Sequence, residues 1–353
     1  MRKRIPVQEY VGVLLKEAAT LPVGDYETVY FGGGTPSLLA PEAIAELLHE
    51  LTDPRRTPHA VTPHVSTSHA AREVTLEANP EDVTPEHARA WRAAGVNRVS
   101  LGAQSFDDRV LQWMHRSHDA AQITRAVLAL RGAGIDNISL DLIFGLPEEL
   151  KRDWKRDLDI LCSLLPAHCS LYGLTVEPRT PLDRWISRGA TSLPADDRYA
   201  EEYLQAHARL RMAGFEFYEV SNAARVGYRS RHNSAYWSGR PYLGLGPAAH
   251  SFDGRTRRWN LPAWEAYRRA IAEGRSAVET EETLTAEQRE TERVYLALRT
   301  IEGLPTAPYR PPPQWASRGW VEATKDGLRC TAEGWLRLDS LVRELTMQSE
   351  PGL

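Results

Sequence analysis

Cysteine is scarce in this chain of 353 residues: there are three, Cys162, Cys169 and Cys330. None stands at a metal-ligand pair spacing from another, so they read as unpaired thiols of a reducing compartment rather than as a disulfide framework or a metal site. Long apolar runs are also missing, and no stretch reaches the length of a membrane span. Met1–Tyr10 carries basic residues with no apolar core behind them, which is not the pattern of a secretory signal, and a cytoplasmic protein is expected. Charge of one sign is lacking too: 43 Lys and Arg stand against 47 Asp and Glu, a formal net charge of −4. That balance argues against broad nucleic-acid binding. No GxGxxG follows the first strand, which weakens a dinucleotide-binding reading. The length suffices for one large domain and a small one.

What is present is a rhythm. Val7–Ala19 reads as a helix, Thr28–Phe31 as a strand rich in β-formers running into Gly32-Gly33-Gly34-Thr35-Pro36, and Pro41–Leu51 as a second helix. The Pro-, Thr-, Ser- and His-rich stretch Thr52–Arg72 reads as a loop insertion. Its His59, His64 and His69 have no carboxylate or cysteine placed with them for metal binding. Strand and helix then alternate: Glu73–Ala78, Pro85–Ala94, Arg98–Leu101, Asp107–Met114 with Ala120–Gly132, Ile135–Leu142, Trp154–Leu164, Ser170–Val176, Pro194–Ala213 and Phe215–Val220. Short connections between such units mean parallel strands with right-handed crossovers, hence a barrel or doubly wound sheet. Ser221–Asn260, rich in aromatics and glycine, reads as loops over a site. From about Thr283 the order helix Ala286–Leu298, hairpin Gly319–Cys330 and helix Glu333–Leu345 resembles a winged-helix module. Its last helix mixes acidic and basic residues, which favours a structural cap over a DNA reader. The expected fold class is α/β, a partial parallel (β/α) barrel over residues 1–265 with a small α+β winged-helix-like cap over 280–353.

In such a barrel the site lies at the C-terminal strand ends. There the sequence places Gly32, Gly33, Gly34 and Thr35, then Glu77 and Asn79, then Gln104, then Asp141 and Gly145, then Tyr172, Thr175 and Glu177. A glycine run lets backbone groups approach a ligand closely. Glu77 can accept from an ammonium or a ribose hydroxyl, and Asp141 from a ribose or an amine. Arg116 can hold a carboxylate bidentately. The set suits a small zwitterionic nucleoside.

The blocks Tyr30-Phe31-Gly32-Gly33-Gly34-Thr35-Pro36-Ser37-Leu38-Leu39, Glu77-Ala78-Asn79-Pro80, Ser100-Leu101-Gly102-Ala103-Gln104-Ser105-Phe106 and Asp141-Leu142-Ile143-Phe144-Gly145-Leu146-Pro147 resemble the radical SAM proteins related to oxygen-independent coproporphyrinogen III oxidase. Arg231-His232-Asn233-Ser234-Ala235-Tyr236-Trp237 and Gly244-Leu245-Gly246-Pro247-Ala248-Ala249-His250-Ser251 are similar to the heme chaperone branch of that group. The resemblance implies a partial barrel that binds S-adenosylmethionine through Gly33, Gly34, Thr35, Glu77, Gln104, Arg116 and Asp141, with Thr175 and His250 at further contact positions. It also implies heme as a ligand, respiratory proteins as heme acceptors, at most peripheral contact with a membrane, and no nucleic-acid partner. A homodimer is left open.

One departure stands out. Family members open with a strand and a CxxxCxxC loop whose thiolates ligate a 4Fe-4S cluster. This chain begins Met1-Arg2-Lys3-Arg4-Ile5-Pro6-Val7, which is similar to the stretch after that loop. Either the start lies upstream by roughly 25–30 residues, a strand and its loop at ordinary lengths, or the protein is a cluster-free relative. The intact downstream motifs support the first. Without that strand, a neighbouring strand edge stands unpaired. For heme, His232 and His250 are the candidate axial ligands, since neutral imidazole is a common iron ligand, with Tyr236, Trp237, Tyr242, Phe252 and Trp259 as aromatic company. Two activities compete: a heme carrier, and radical decarboxylation of coproporphyrinogen III.

Overall fold

Five parallel strands carry the fold: β1 (Thr28–Phe31), β2 (Glu73–Ala78), β3 (Arg98–Gln104), β4 (Asn137–Phe144) and β5 (His168–Gly173). They belong to a computed structural model that describes residues 6–21, 26–52, 72–305 and 307–347. The expected loop with His59, His64 and His69 lies outside the described residues. Two further strands, β6 (Glu216–Glu219) and β7 (Asn222–Ala224), complete a curled sheet in the order β1-β2-β3-β4-β5-β7-β6, with β7 antiparallel to both neighbours. Helices Pro41–Thr52, Pro85–Ala94, Ala120–Gly132, Trp154–Ser163 and Asp196–Met212 return the chain between strands. Side-chain oxygens of Thr84, Asp119 and Asp153 cap three of them, and Gly95 at φ +108 closes Pro85–Ala94.

Parallel strands covered on both faces are usually apolar throughout. These alternate instead. Val74, Leu76, Val99, Leu101, Ile138, Leu140, Cys169 and Leu171 are buried in the main core. Glu73, Thr75 and Glu77, then Arg98 and Ser100, then Ser139 and Asp141, then His168 and Ser170 occupy the other face in register. The sheet is therefore a half-barrel, apolar toward its helices and polar toward its lumen.

Ser221–Asn260, expected as loops, contains β7, the helix Arg231–Trp237, β8 (His250–Phe252) and β9 (Thr256–Asn260). These pieces are too short to show periodicity. β8 and β9 join β10 (Val278–Thr283) in an antiparallel sheet. A second core of Val11, Val13, Leu14, Leu47, Tyr267 and Ala277 ties the first helix, Val7–Ala18, to this region. Inside it, buried Glu17 accepts from the Gly246 amide (2.8 Å), Asn260 Nδ2 (2.7 Å) and the Tyr267 hydroxyl (2.5 Å).

The C-terminal part follows the expected order, helix Ala286–Arg299, small sheet β11 (Leu304–Pro305), β12 (Val321–Ala323) and β13 (Gly327–Cys330), then helix. The last helix is two, Ala332–Trp335 and Leu338–Met347. The first of them is pinned: the Trp335 indole N–H donates to the Leu298 carbonyl at 3.0 Å, and a Cβ on Gly334 would fall 1.9 Å from the Trp320 carbonyl oxygen. Val294, Leu298, Trp315, Leu328 and Trp335 share one apolar core with the barrel helices.

Candidate functional site at the strand ends

The glycine turn after β1 is built around Glu77. Its carboxylate accepts from the Tyr30 hydroxyl at 2.7 Å and from the Gly33 amide at 3.2 Å. A Cβ on Gly32 would lie 2.5 Å from a Tyr30 ring carbon and 2.9 Å from Glu77 Oε1, so only glycine lets the turn close on the acid. Gly33 takes φ +83 and faces open space. Gly34 and Thr35 follow, exposed, and the chain turns away at Pro36–Leu38. Burial and then the Glu77 charge hold the Tyr30 phenol protonated well beyond its ordinary range.

On the next strand end, Gln104 is buried and sits at φ +67, a backbone region that a non-glycine residue adopts only under constraint. Its amide folds back over Gly102, where a Cβ would meet Nε2 at 2.8 Å. Asn79 Oδ1 lies 3.8 Å from the same point and accepts from Arg116 Nη1 at 3.5 Å. Burial lowers the pKa of the half-buried Arg116, opposed by the charge of Glu81. Glu81 itself is held by Ser117 (2.5 Å) and His118 (2.9 Å).

Asp141 faces the lumen one strand further on. Ser100 donates to it at 3.0 Å and Ser139 at 3.1 Å. Burial raises its pKa, against the hydrogen bonds of Ser170 and Ser100 and the charge of Arg98. Arg98, 1 % exposed, has an Nε without a partner. From Ser139 a chain of contacts descends through the barrel: to His168 Nδ1 (2.8 Å), from His168 Nε2 to the Tyr218 hydroxyl (2.8 Å), and from there to the Ser230 amide (3.4 Å). Burial keeps His168 neutral, its pKa well below the usual imidazole value. None of Ser100, Arg98, Ser139, His168 or Tyr218 was singled out from the sequence. The signal was there, as polar residues at every second strand position.

Of the expected residues, Gly33 and Glu77 touch; Gln104 lies over Gly102 and Arg116 donates to Asn79 nearby; Asp141 accepts from Ser100, the register partner of Glu77. Thr175 is exposed just past β5. His232 instead lies toward the N-terminal strand ends. Glu73 accepts from the backbone amides of Arg231 (2.9 Å) and His232 (3.0 Å), which sets the helix Arg231–Trp237 beside β1. Both imidazole nitrogens of His232 are engaged, Nδ1 with Thr28 at 2.8 Å and Nε2 with Tyr236 at 3.0 Å, and the ring stacks on Tyr30 at 4.8 Å. Burial lowers its pKa to about 4. His250 is exposed on β8, edge-on to Trp259 at 5.6 Å.

The three cysteines do not fit a 4Fe-4S cluster. All are buried, and burial raises each thiol, Cys330 to about 12, where the cluster needs thiolates. No group of three metal-ligating side chains occurs among the described residues.

The Radical SAM superfamily model matches residues 2–161. The heme chaperone HemW of Mycobacterium tuberculosis (strain ATCC 25618 / H37Rv) is 38% identical over 333 residues, 93% of this chain and 83% of that protein. The heme chaperone HemW of Bacillus subtilis (strain 168) is 34% identical over 304 residues, 85% of this chain and 77% of that protein. Among solved structures, coproporphyrinogen III oxidase (HemN) from Escherichia coli, a radical SAM enzyme, superposes with a TM-score of 0.74 at 20% identity, covering 97% of this chain and 84% of that one, which shows a shared fold. The half-barrel, the glycine turn closed on Glu77 and a relative at this identity over nearly the full length together place the chain in the HemW heme chaperone family of the radical SAM superfamily.

Proposed function

We propose that the protein binds heme and S-adenosylmethionine and hands heme to acceptor proteins of respiration in the cytoplasm. The observation that carries this reading is the ring of polar groups at the strand ends, within a chain whose HemW relatives match it nearly end to end. Gly33, Gly34, Thr35, Glu77, Gln104, Arg116 and Asp141 would hold S-adenosylmethionine, with Thr175 and His250 further out. The acids are suited to its ammonium and ribose hydroxyls, and Arg116 to its carboxylate. Asp141, made a weaker acid by burial, would be favoured in its charged form by a cation placed against it. No described helix is long and apolar enough to cross a membrane. Of the two heme-ligand candidates, His250 has the more available ring, since His232 must first give up Thr28 or Tyr236.

Heme titration and an anaerobic coproporphyrinogen III assay on the purified protein separate carrier from oxidase. Heme binding without conversion is expected; rapid decarboxylation would overturn the carrier reading. Gly33→Val should weaken S-adenosylmethionine at least tenfold by calorimetry in a chain carrying the family's CxxxCxxC segment. Two causes act together: the φ of +83, which a β-branched residue resists, and the open space over Gly33, free of protein atoms within 4 Å, that the side chain would take from the ligand. Unchanged affinity would remove Gly33 from the site.

A further inference from the structure

One charge on the lumen face lacks a counterpart among the described residues. Arg98 opens β3 and is 1 % exposed, and its guanidinium makes no hydrogen bond or ion pair among those residues. The acids of the same face are each engaged elsewhere. Glu73 accepts from the amides of Arg231 and His232, Glu77 from Tyr30 and Gly33, and Asp141 from Ser100 and Ser139. Glu219 lies 2.7 Å from Arg299. A cation taken out of water is ordinarily paired, because nothing else replaces its hydration.

Two neighbours share the deficit. Thr75 on β2 and Asn137 on β4 are the register partners of Arg98, so the three side chains leave the sheet on one face at one level. Thr75 Oγ1 and Asn137 Oδ1 are also buried without a partner. The charge of Arg98 acts on Tyr30 of β1, Asp141 of β4, His168 of β5, Tyr218 of β6 and the imidazole of His232. The guanidinium therefore stands out in the lumen, within reach of groups from all around it, and not flat against one wall.

These groups define what they can hold. The guanidinium fork and the Thr75 hydroxyl donate, and so does the Asn137 amide when its NH₂ end faces inward. Side by side they suit a planar anion, which the fork grips through two oxygens. One cation balances one negative charge, and a dianion would leave an excess beside Glu73 and Asp141, so a carboxylate fits better than a phosphate. The row lies two residues, about 7 Å, below Glu77, Ser100 and Ser139 on the same strands.

We propose that the lumen is a binding site for a small organic acid, gripped by its carboxylate between Arg98, Thr75 and Asn137, with its other end directed toward the strand ends. The site shares no residue with the sets proposed for S-adenosylmethionine and heme, and it stands or falls without them.

Thermal unfolding of the full chain in acetate or propionate, against chloride at equal ionic strength, tests the site. A ligand of the folded state alone raises Tm with its concentration, here by roughly 3–5 °C at a hundredfold excess over Kd. Arg98→Met should lose this response, and in chloride it should be at least as stable as the parent, since it removes an unpaired buried charge. Arg98→Lys keeps the charge but not the fork and should weaken the apparent Kd about tenfold. Thr75→Val, close to the parent in shape, should weaken it several-fold and keeps the test open if the arginine variants fold poorly. A Tm indifferent to carboxylates would overturn the site and mean that solvent alone satisfies Arg98. A response that survives in Arg98→Met would overturn it as a salt effect elsewhere on the chain. Sulfate or phosphate acting through Arg98 more strongly than propionate would overturn the carboxylate assignment.

Discussion

Replacing Glu202 by alanine is expected to destabilise the protein by about 3–5 kcal/mol, the usual penalty for leaving one member of a buried ion pair alone. Arg152 is that member. Its side chain is 2 % exposed, donates to Glu202 at 2.9 Å and to the Ile143 carbonyl at 2.5 Å, and lies 3.8 Å from Asp157. Burial already lowers its pKa, with Glu202 the strongest opposing influence. Glu202 also accepts from the Gly145 amide at 2.9 Å, so the same substitution loosens the turn directly after β4. Urea denaturation should show a lower midpoint at an unchanged slope. Removing both charges, as Arg152→Met with Glu202→Leu, should restore only part of the loss, because Asp157 then loses its cation and keeps only the Ser105 hydroxyl and the Phe106 amide. A single variant within 1 kcal/mol of the parent would mean that Asp157 alone suffices.

His207→Phe should become progressively more stabilising, relative to the parent, as the pH falls. His207 stacks on Phe217 at 3.5 Å and has an unpartnered Nε2. Burial, then the Arg211 charge, lowers its pKa to about 3. In the unfolded chain it titrates near 6.5. Stability owed to the neutral ring is therefore fully present above pH 6.5. It is lost as the pH drops toward 3, because only the unfolded state takes up the proton. At pH 5 that loss is about 2 kcal/mol. The phenylalanine variant does not suffer it, so the stability difference between the two proteins should widen by about 2 kcal/mol from pH 8 to pH 5. Asp141, Asp157 and Glu219, whose carboxyls burial pushes up, titrate in both proteins and cancel in the difference. A difference independent of pH would mean that His207 is protonated in the native state.

Most of the barrel was legible because its elements are long and its punctuation strong. Glu73–Ala78 and Pro85–Ala94 came out with their bounds, the helix being marked by a threonine cap and a closing glycine. Thr28–Phe31 and its glycine turn were legible for the same reason. β5, expected over Ser170–Val176, spans His168–Gly173: it begins two residues earlier, and the β-forming Leu174-Thr175-Val176 carried the expectation three residues past its end. The helix Pro181–Ser187 was missed; with no buried residue it lacks an apolar stripe to read. The set around Glu77 was legible as a list of strand ends, but not who holds whom. That Gly32 is required by Tyr30 and Glu77, or that Gln104 folds over Gly102, depends on register between strands far apart in sequence. The engagement of both His232 nitrogens was likewise invisible, because Thr28 lies 204 positions away.

The apolar contacts that run from the barrel helices through Leu298 and Trp335 have a consequence for how the molecule comes apart. A protease cut near residue 284 would not release an autonomous tail, since His207 on one side and Trp335 on the other lie 5.7 Å apart, ring to ring. Each fragment would bare the greasy half of a joint. The two halves would stay clasped until heat or denaturant dissolved them together, in one transition rather than two.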